Sequence, residues 1–271
     1  MKANIAKIEQ LVRAAAKDGA NIILTPELFQ GPYFCKTEDT QHFSEAYPYR
    51  DHPIVQSLAP VAKELGVVLP LSIFERDGQE YYNSLVMADA DGSLLGVYRK
   101  SHIPDGPGYE EKFYFRPGDT GFKVWKTRFG CIGVGVCWDQ WFPEAARTMM
   151  LMGADMLLYP TAIGSEPENT GLDTQLRWRR AMIGHSVSNV VPVAAANRIG
   201  DEAGQVFYGS SFITDDGGDL LIDMSRTEEG FACAGLDLEA IAERRAGWGF
   251  FRDRRPDLYG LLGGGKSRSE S

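Results

Sequence analysis

Residues 131–143, CIGVGVCWDQWFP, constrain the fold more than any other stretch. The first half, Ile132-Gly133-Val134-Gly135-Val136, is a short apolar run rich in β-branched residues, the pattern of a buried strand. Beyond Cys137 the period changes. Trp138, Phe142, Ala145, Ala146, Met149 and Met150 recur at roughly helical spacing, and Pro143 suits a first helical turn. A chain that turns from strand to helix at Cys137 holds that thiol on a tight elbow. The backbone N–H of Trp138 would then point to where an oxyanion could form. Two readings of Cys137 stay open on this stretch alone: a nucleophile, or a packed core thiol, since free cysteine is among the most buried residue types.

The rest of the chain supplies alternating helix and strand patterns. Ile5, Ile8, Leu11, Val12 and Ala15 form one stripe of an amphipathic helix, and 21–24 reads as a buried strand running into Thr25-Pro26-Glu27. A helix over 54–65 stopped by Gly66, a strand over 67–73, and a hairpin of 82–88 with 94–98 across Asp91-Gly92 follow. Strands are expected over 122–125, 131–136, 156–159 and 191–195, and several short ones over 206–235. Helices are expected up to about 153, over 173–189 and over 238–245. Two aperiodic loops, 29–52 and 101–120, are rich in aromatics, Gly and Pro, a composition that suits ordered loops lining a site. The pattern favours an α/β layered architecture in which helices cover central sheets.

Composition narrows the function. The 37 acidic against 28 basic residues argue against a nucleic-acid binder and are compatible with a cationic substrate. No run of about 18 apolar residues is present, so no membrane span is expected. Four sparse cysteines, none in a C-x-x-C pair, suit reduced thiols in a cytoplasmic protein. With no metal-ligand spacing and no phosphate-binding loop, no cofactor or metal is implied. His42, His52, His102 and His185 lack any Cys-His or Ser-His grammar and read as structural. Arg177, Arg179 and Arg180 read as a solvated or ion-paired helix face.

Three residues share one position. Glu27, Lys100 and Cys137 each lie just past the end of an expected strand, the edge where α/β sheets bind ligands. Their chemistry is complementary. A carboxylate can take the thiol proton and return it to a leaving amine, while an ammonium favours the thiolate and stabilises an oxyanion. Together they suit acyl transfer from a C–N bond to water.

The segments PELF, YRKSHIP and GVCWDQWFPEAAR resemble the nitrilase (carbon–nitrogen hydrolase) superfamily. The loop IPDGPGYEEKFYFRPGDTGF, the segment TAIGSEP and the tail WGFFRDRRPDLY resemble the branch of it that hydrolyses N-carbamoylputrescine. The resemblance runs from about residue 3 to about residue 261. It implies Glu27 as base, Lys100 as the oxyanion-stabilising lysine, Cys137 as nucleophile, and Glu111 as a further glutamate holding the lysine. It also implies a four-layer α-β-β-α sandwich, a homodimer or higher homo-oligomer, and a small cationic substrate whose products are putrescine, CO2 and ammonia. Family members usually open with a strand ahead of the helix that begins here at Ala3. The expectation is therefore a sandwich lacking that first strand, as a single domain over 1–261 with a disordered tail over 262–271. The substrate ammonium needs an anion, since burying it unpaired would cost several kcal/mol. Glu166 in GSEP is the first choice, Asp105 in IPDGP the second, and Tyr33 adds a hydroxyl. The alternatives are the same chemistry on a β-ureido acid, an ω-amide or a nitrile, or an inactive subunit of this fold.

Overall fold

The computed structural model describes residues 1–169 and 171–264. Two sheets form its centre. The first is the antiparallel ladder β1 (Leu69–Asp77), β2 (Glu80–Ala88) and β3 (Leu94–Arg99). The second has six strands: β4 (Val124–Thr127), β5 (Gly130–Val134), β6 (Met156–Pro160), β7 (Val193–Ala196), β10 (Phe212–Thr214) and β11 (Leu220–Asp223). They lie in the order β11-β10-β7-β6-β5-β4, with β5, β6 and β7 mutually parallel. A separate hairpin pairs β8 (Ile199–Glu202) with β9 (Gln205–Tyr208).

Side-chain alternation assigns the layers. Leu69, Leu71 and Ile73 of β1, with Val86 and Ala88 of β2, pack on α1 (Lys2–Lys17) and α2 (Pro53–Leu65). The opposite parity, Leu85 and Met87, meets Ile132, Val134, Met156 and Leu158 of the second sheet. On that sheet's far face, Leu157, Tyr159 and Val193 pack with Met149 of α4 (Pro143–Leu151) and with Trp178 and Met182 of α5 (Gln175–Asn189). The order is helix, sheet, sheet, helix, the expected α-β-β-α sandwich. A short α3 (Glu111–Tyr114) lies in the second aromatic loop, and α6 (Leu238–Trp248) follows the strands.

Segment 21–24 departs from the expected strand. It pairs with the first sheet only through the parallel bridge Ile22–Val68 and two flanking backbone hydrogen bonds. Its other side borders a cleft of about 720 Å³, lined by Ile8 and Val12 of α1, Met156, Ala194 and Phe231 among others. A strand needs a ladder over several residues, and among the described residues this segment has a pairing neighbour on one side only. The cleft is not lined by Glu27, Lys100 or Cys137. At the other end, Gly260–Gly263 forms a 3-10 turn, which includes the first residues of the tail expected to be disordered. The rest of that tail, from 265, lies outside the described residues.

One buried histidine is explained by capping. His52 precedes Pro53 at the start of α2, and its Nδ1 accepts from the Ile54 N–H at 3.2 Å. That bond needs a neutral ring, and burial lowers the His52 pKa to about 4. The unfolded chain takes up this proton near pH 6.5, whereas the folded chain takes it up only near 4. Stability from this group is therefore complete above pH 6.5 and declines as pH falls toward 4, by at most about 3 kcal/mol. His52→Asn keeps a capping acceptor but cannot titrate. Urea midpoints measured between pH 6.5 and 4 should fall less steeply for this variant than for the wild type, and equal slopes would exclude His52 as the cause.

Candidate active site

The strand ends deliver the three sequence candidates to one buried place. Lys100 directly follows β3 and is fully buried. Its Nζ donates to Glu27 Oε1 at 2.8 Å and to Glu111 Oε2 at 2.6 Å, and both carboxylates are buried as well. Asn83 of β2 donates to Glu27 Oε1 at 2.7 Å and, at 3.5 Å, to Glu111 Oε2. Glu27 Oε2 is buried and has no hydrogen-bond partner among the described residues. One oxygen of Glu27 is thus committed to the lysine and the asparagine, and the other is free to handle a proton.

Cys137 follows β5 at an elbow, as the change of period requires. Its φ is +44°, a left-handed conformation that costs a non-glycine residue about 1–3 kcal/mol. The helix does not start at once. Cys137–Trp141 is a 3-10 turn, and α4 begins only at Pro143. Gln140 pins this turn from one side. Its Oε1 accepts from Thr161 Oγ1 and Trp178 Nε1, and its carbonyl bonds to His185 Nε2 at 2.8 Å. The Cys137 thiol is 3.8 Å from the Ala162 carbonyl. Leu28, next to Glu27, also has positive φ, +46°. Buried Arg198 braces that bend by donating to the Leu28 and Gly31 carbonyls.

The electrostatics follow from burial. Burial alone would strip the Lys100 proton, but Glu111 and Glu27 outweigh it and hold the ammonium's pKa well above its ordinary value. Burial also pushes Glu111 up, to about 7, against the opposing pull of Lys100. For Cys137, burial and then Glu27 raise the thiol pKa well above its usual range, with Lys100 acting the other way. Lys100 does favour the thiolate, as its charge should, but desolvation and Glu27 outweigh it and the balance favours the thiol.

Other candidates separate. Tyr33, expected to touch substrate, is fully buried, and its hydroxyl donates to Glu111 Oε1 at 2.8 Å. It is a brace for the carboxylate. Asp105 is exposed at the surface, 4.0 Å from Lys112, and no hydrogen bond joins it to this cluster among the described residues. Glu166 is partly buried, and burial raises its pKa. Nearby, Gln205 of β9 ties Tyr109, in the second aromatic loop, to the loop that carries Ser165 and Glu166. Gln205 Nε2 donates to the Tyr109 hydroxyl at 2.8 Å and to the Ser165 carbonyl at 2.9 Å. Close backbone contact fixes the Lys100 loop too. Gly118 donates to the Lys100 carbonyl at 2.8 Å, and a Cβ there would sit 2.0 Å from the Arg99 carbonyl oxygen. Among the other thiols, Cys35 is buried and Cys131 half-buried. Arg179 pairs with Asp223 at 2.6 Å, as an ion-paired helix face should. Among the described residues no group of three or more His, Cys, Asp or Glu could hold a metal ion, and no helix is long and apolar enough to cross a membrane.

Sequence reasoning missed Asn83 and Asp139. Asn83 sits mid-strand, where only its pairing reveals that it faces a carboxylate. Asp139 lies within the strongest motif and looks like an ordinary early-helix acid.

Similarity to known proteins agrees with this geometry. The carbon–nitrogen hydrolase family model matches residues 1–246. An N-carbamoylputrescine amidase from Arabidopsis thaliana is 54% identical over 96% of this chain and 89% of its own length. A citrullinase from Francisella tularensis is 52% identical, over 94% of this chain and 91% of its own. The crystal structure of a carbon–nitrogen hydrolase from Helicobacter pylori superposes with a TM-score of 0.89 at 40% identity, covering 96% and 93% of the two chains. With a sandwich of this layering, a buried Glu-Lys-Glu cluster and a left-handed cysteine at the strand-to-helix elbow, the chain belongs to the carbon–nitrogen hydrolase family.

Proposed function

We propose that this chain hydrolyses N-carbamoylputrescine to putrescine, CO2 and ammonia, supplying a polyamine precursor. The observation that carries the proposal is Lys100 held between Glu27 and Glu111 beside the buried Cys137, whose thiol feels the charges of both Lys100 and Glu27. Glu27 takes the thiol proton on its free oxygen as Cys137 attacks the ureido carbon. Lys100 and the Trp138 N–H face the oxygen that gains charge. Glu27 returns the proton to the departing nitrogen; water, with Glu27 again as base, then attacks the carbonyl carbon of the thioester-like intermediate and expels the Cys137 thiol, and the carbamic acid so formed loses CO2 to give the second amine. Glu111, braced by Tyr33, keeps Lys100 charged and in place.

Charge supports a cationic substrate. Lys100 is committed to two carboxylates, and Arg198 to two carbonyls and Glu202. Glu166, by contrast, has no Lys or Arg partner among the described residues, and the resemblance of GSEP to a substrate loop motivates its assignment to the ammonium. Ammonia release should be robust for the wild type on N-carbamoylputrescine and fall to background for Cys137→Ala. Glu166→Gln should raise KM about tenfold, the equivalent of one charge-assisted contact, and leave neutral N-butylurea nearly unaffected. Release from citrulline in place of N-carbamoylputrescine would move the assignment to an amino-acid ureide. An equal loss on both carbamoyl compounds would reduce Glu166 to a loop-shaping role.

Acidification has a defined effect on this reading. Glu111 gains a proton as pH falls through about 7, and Lys100 then loses one of its two anions. The logarithm of kcat/KM should therefore fall by about one per pH unit below about 7. A profile flat down to pH 5 would rule out an ionised Glu111 as a requirement.

The chain also presents an apolar surface that suits self-association. Trp248 at the end of α6 and Leu258 in the tail are each 65% exposed, with Leu261 and Leu262 beside them in sequence. Phe251 of the same tail points the other way, packing on the α4/α5 core beneath Arg147. We propose a homodimer or larger assembly through the exposed face. Trp248→Asp with Leu258→Asp should lower the sedimentation coefficient toward the monomer, and an unchanged profile would remove this surface from the interface.

A further inference from the structure

We infer that Asp139 and His102 form a clamp that sets the Cys137 elbow against the Lys100 arm, making both positioning residues for the reaction. Asp139 is fully buried two residues past Cys137. Its carboxylate accepts from four donors. Oδ2 takes the Val136 N–H at 2.9 Å, immediately before the nucleophile, and the Tyr98 hydroxyl of β3 at 2.7 Å. Oδ1 takes the His102 backbone N–H at 3.1 Å and His102 Nδ1 at 2.7 Å. A carboxylate only accepts, so Nδ1 carries the proton.

The donors come from both sides of the site. Tyr98 and His102 flank Lys100 by two residues each way, and Val136 precedes Cys137 directly. The Tyr98 hydroxyl gives its one proton to Asp139 and accepts from the Ser101 N–H at 3.2 Å, which closes the turn around Lys100. The imidazole of His102 also stacks on Phe142, with ring centroids 3.6 Å apart and planes 7° from parallel. Phe142 immediately precedes α4, so His102 holds the middle of the cysteine turn through Asp139 and its far end through Phe142. Cys137 and Lys100 follow strands of different sheets. Gly135 on the elbow leaves room for this packing, since a Cβ there would lie 3.1 Å from Asp139 Cβ and 2.9 Å from the Tyr159 ring.

A clamp differs from a structural contact in what it controls. Oxyanion stabilisation requires donor and nucleophile to keep a fixed separation, and a displacement of about 1 Å can cost roughly 100-fold in rate. Loosening the clamp should therefore lower kcat and leave substrate binding, made elsewhere in the pocket, nearly intact. The kcat arm of this inference rests on the proposed hydrolysis, whereas alkylation of Cys137 without substrate does not.

His102 is 30% exposed, so His102→Phe preserves the stack on Phe142 and removes only the Nδ1 donor. With N-carbamoylputrescine, this variant should show kcat reduced roughly 10- to 100-fold and KM within about twofold of wild type. Iodoacetamide should label its Cys137 more slowly, followed by mass spectrometry, at an unchanged circular-dichroism spectrum. His102→Asn, which restores a side-chain donor, should recover a large part of both rates. Tyr98→Phe, which removes one hydroxyl from the same carboxylate, should act in the same direction as His102→Phe. Unaltered kcat and labelling in His102→Phe and Tyr98→Phe would overturn the clamp, as would His102→Asn no better than His102→Phe. If wild type releases no ammonia while labelling still follows the clamp variants, the substrate assignment fails and the clamp stands.

Discussion

The structure depends on one buried cation. Lys100 has no access to water, and removing an ammonium from water costs several kcal/mol even after relaxation. Two carboxylates answer that cost, but two are more than one charge requires. The excess is handled by donors and by a proton. Asn83 and Tyr33 supply hydrogen bonds, and Glu111 keeps its proton up to about pH 7. The need to keep water from this cluster explains the aromatic loops. Phe34, Phe74, Tyr114 and Phe115 stack or meet edge to face above it, drawing loop 29–52 and loop 101–120 into one cap. Loops that carry so few regular elements are ordered because they bury rings, and the backbone contact at Gly118 ties them to Lys100.

The sequence reveals those parts of this arrangement that obey a local rule. A change from strand period to helix period places Cys137 at an elbow, and residues following strands place Glu27 and Lys100 at a sheet edge. Layering follows from the alternation of Leu69, Leu71 and Ile73. Where the rule is not local, the sequence is silent. Asn83 is a polar residue in mid-strand, and only the register Asn83–Phe74 with the facing carboxylates gives it a purpose. Tyr33 and Asp105 lie in aperiodic loops, so neither spacing nor pattern tells which one turns inward. The strand expected over 21–24 fails for a related reason. Its apolar character is correct, but strand formation is a property of neighbours, and it has one partner for one bridge.

Of the five non-glycine residues with positive φ among the described residues, two lie where the chemistry is proposed. Leu28 and Cys137 both take left-handed conformations that a leucine or cysteine avoids, next to Glu27 and at the thiol itself. Each bend is overdetermined by its surroundings: Arg198 donates to carbonyls around Leu28, and Asp139 with Gln140 grips both faces of the cysteine turn. The backbone conformation is thus held by side chains from distant elements.

These constraints bear on how the thiol becomes reactive on the proposed reading. A resting thiolate beside Glu27 would place a second anion against a carboxylate in a site that already holds more negative than positive charge. Burial and Glu27 oppose it together, and Lys100 cannot compensate both because its charge is shared with Glu111. The thiol therefore stays protonated until the substrate arrives. Glu27 has one oxygen bound to Lys100 and Asn83 and the other unpartnered, so it can receive the proton without leaving the lysine. Once it does, the negative charge passes from the carboxylate to sulfur and then to the substrate oxygen, and the net charge of the site stays the same throughout. Proton transfer concerted with attack is the route that never adds an anion to the pocket. It is the route that a buried lysine with two carboxylates favours.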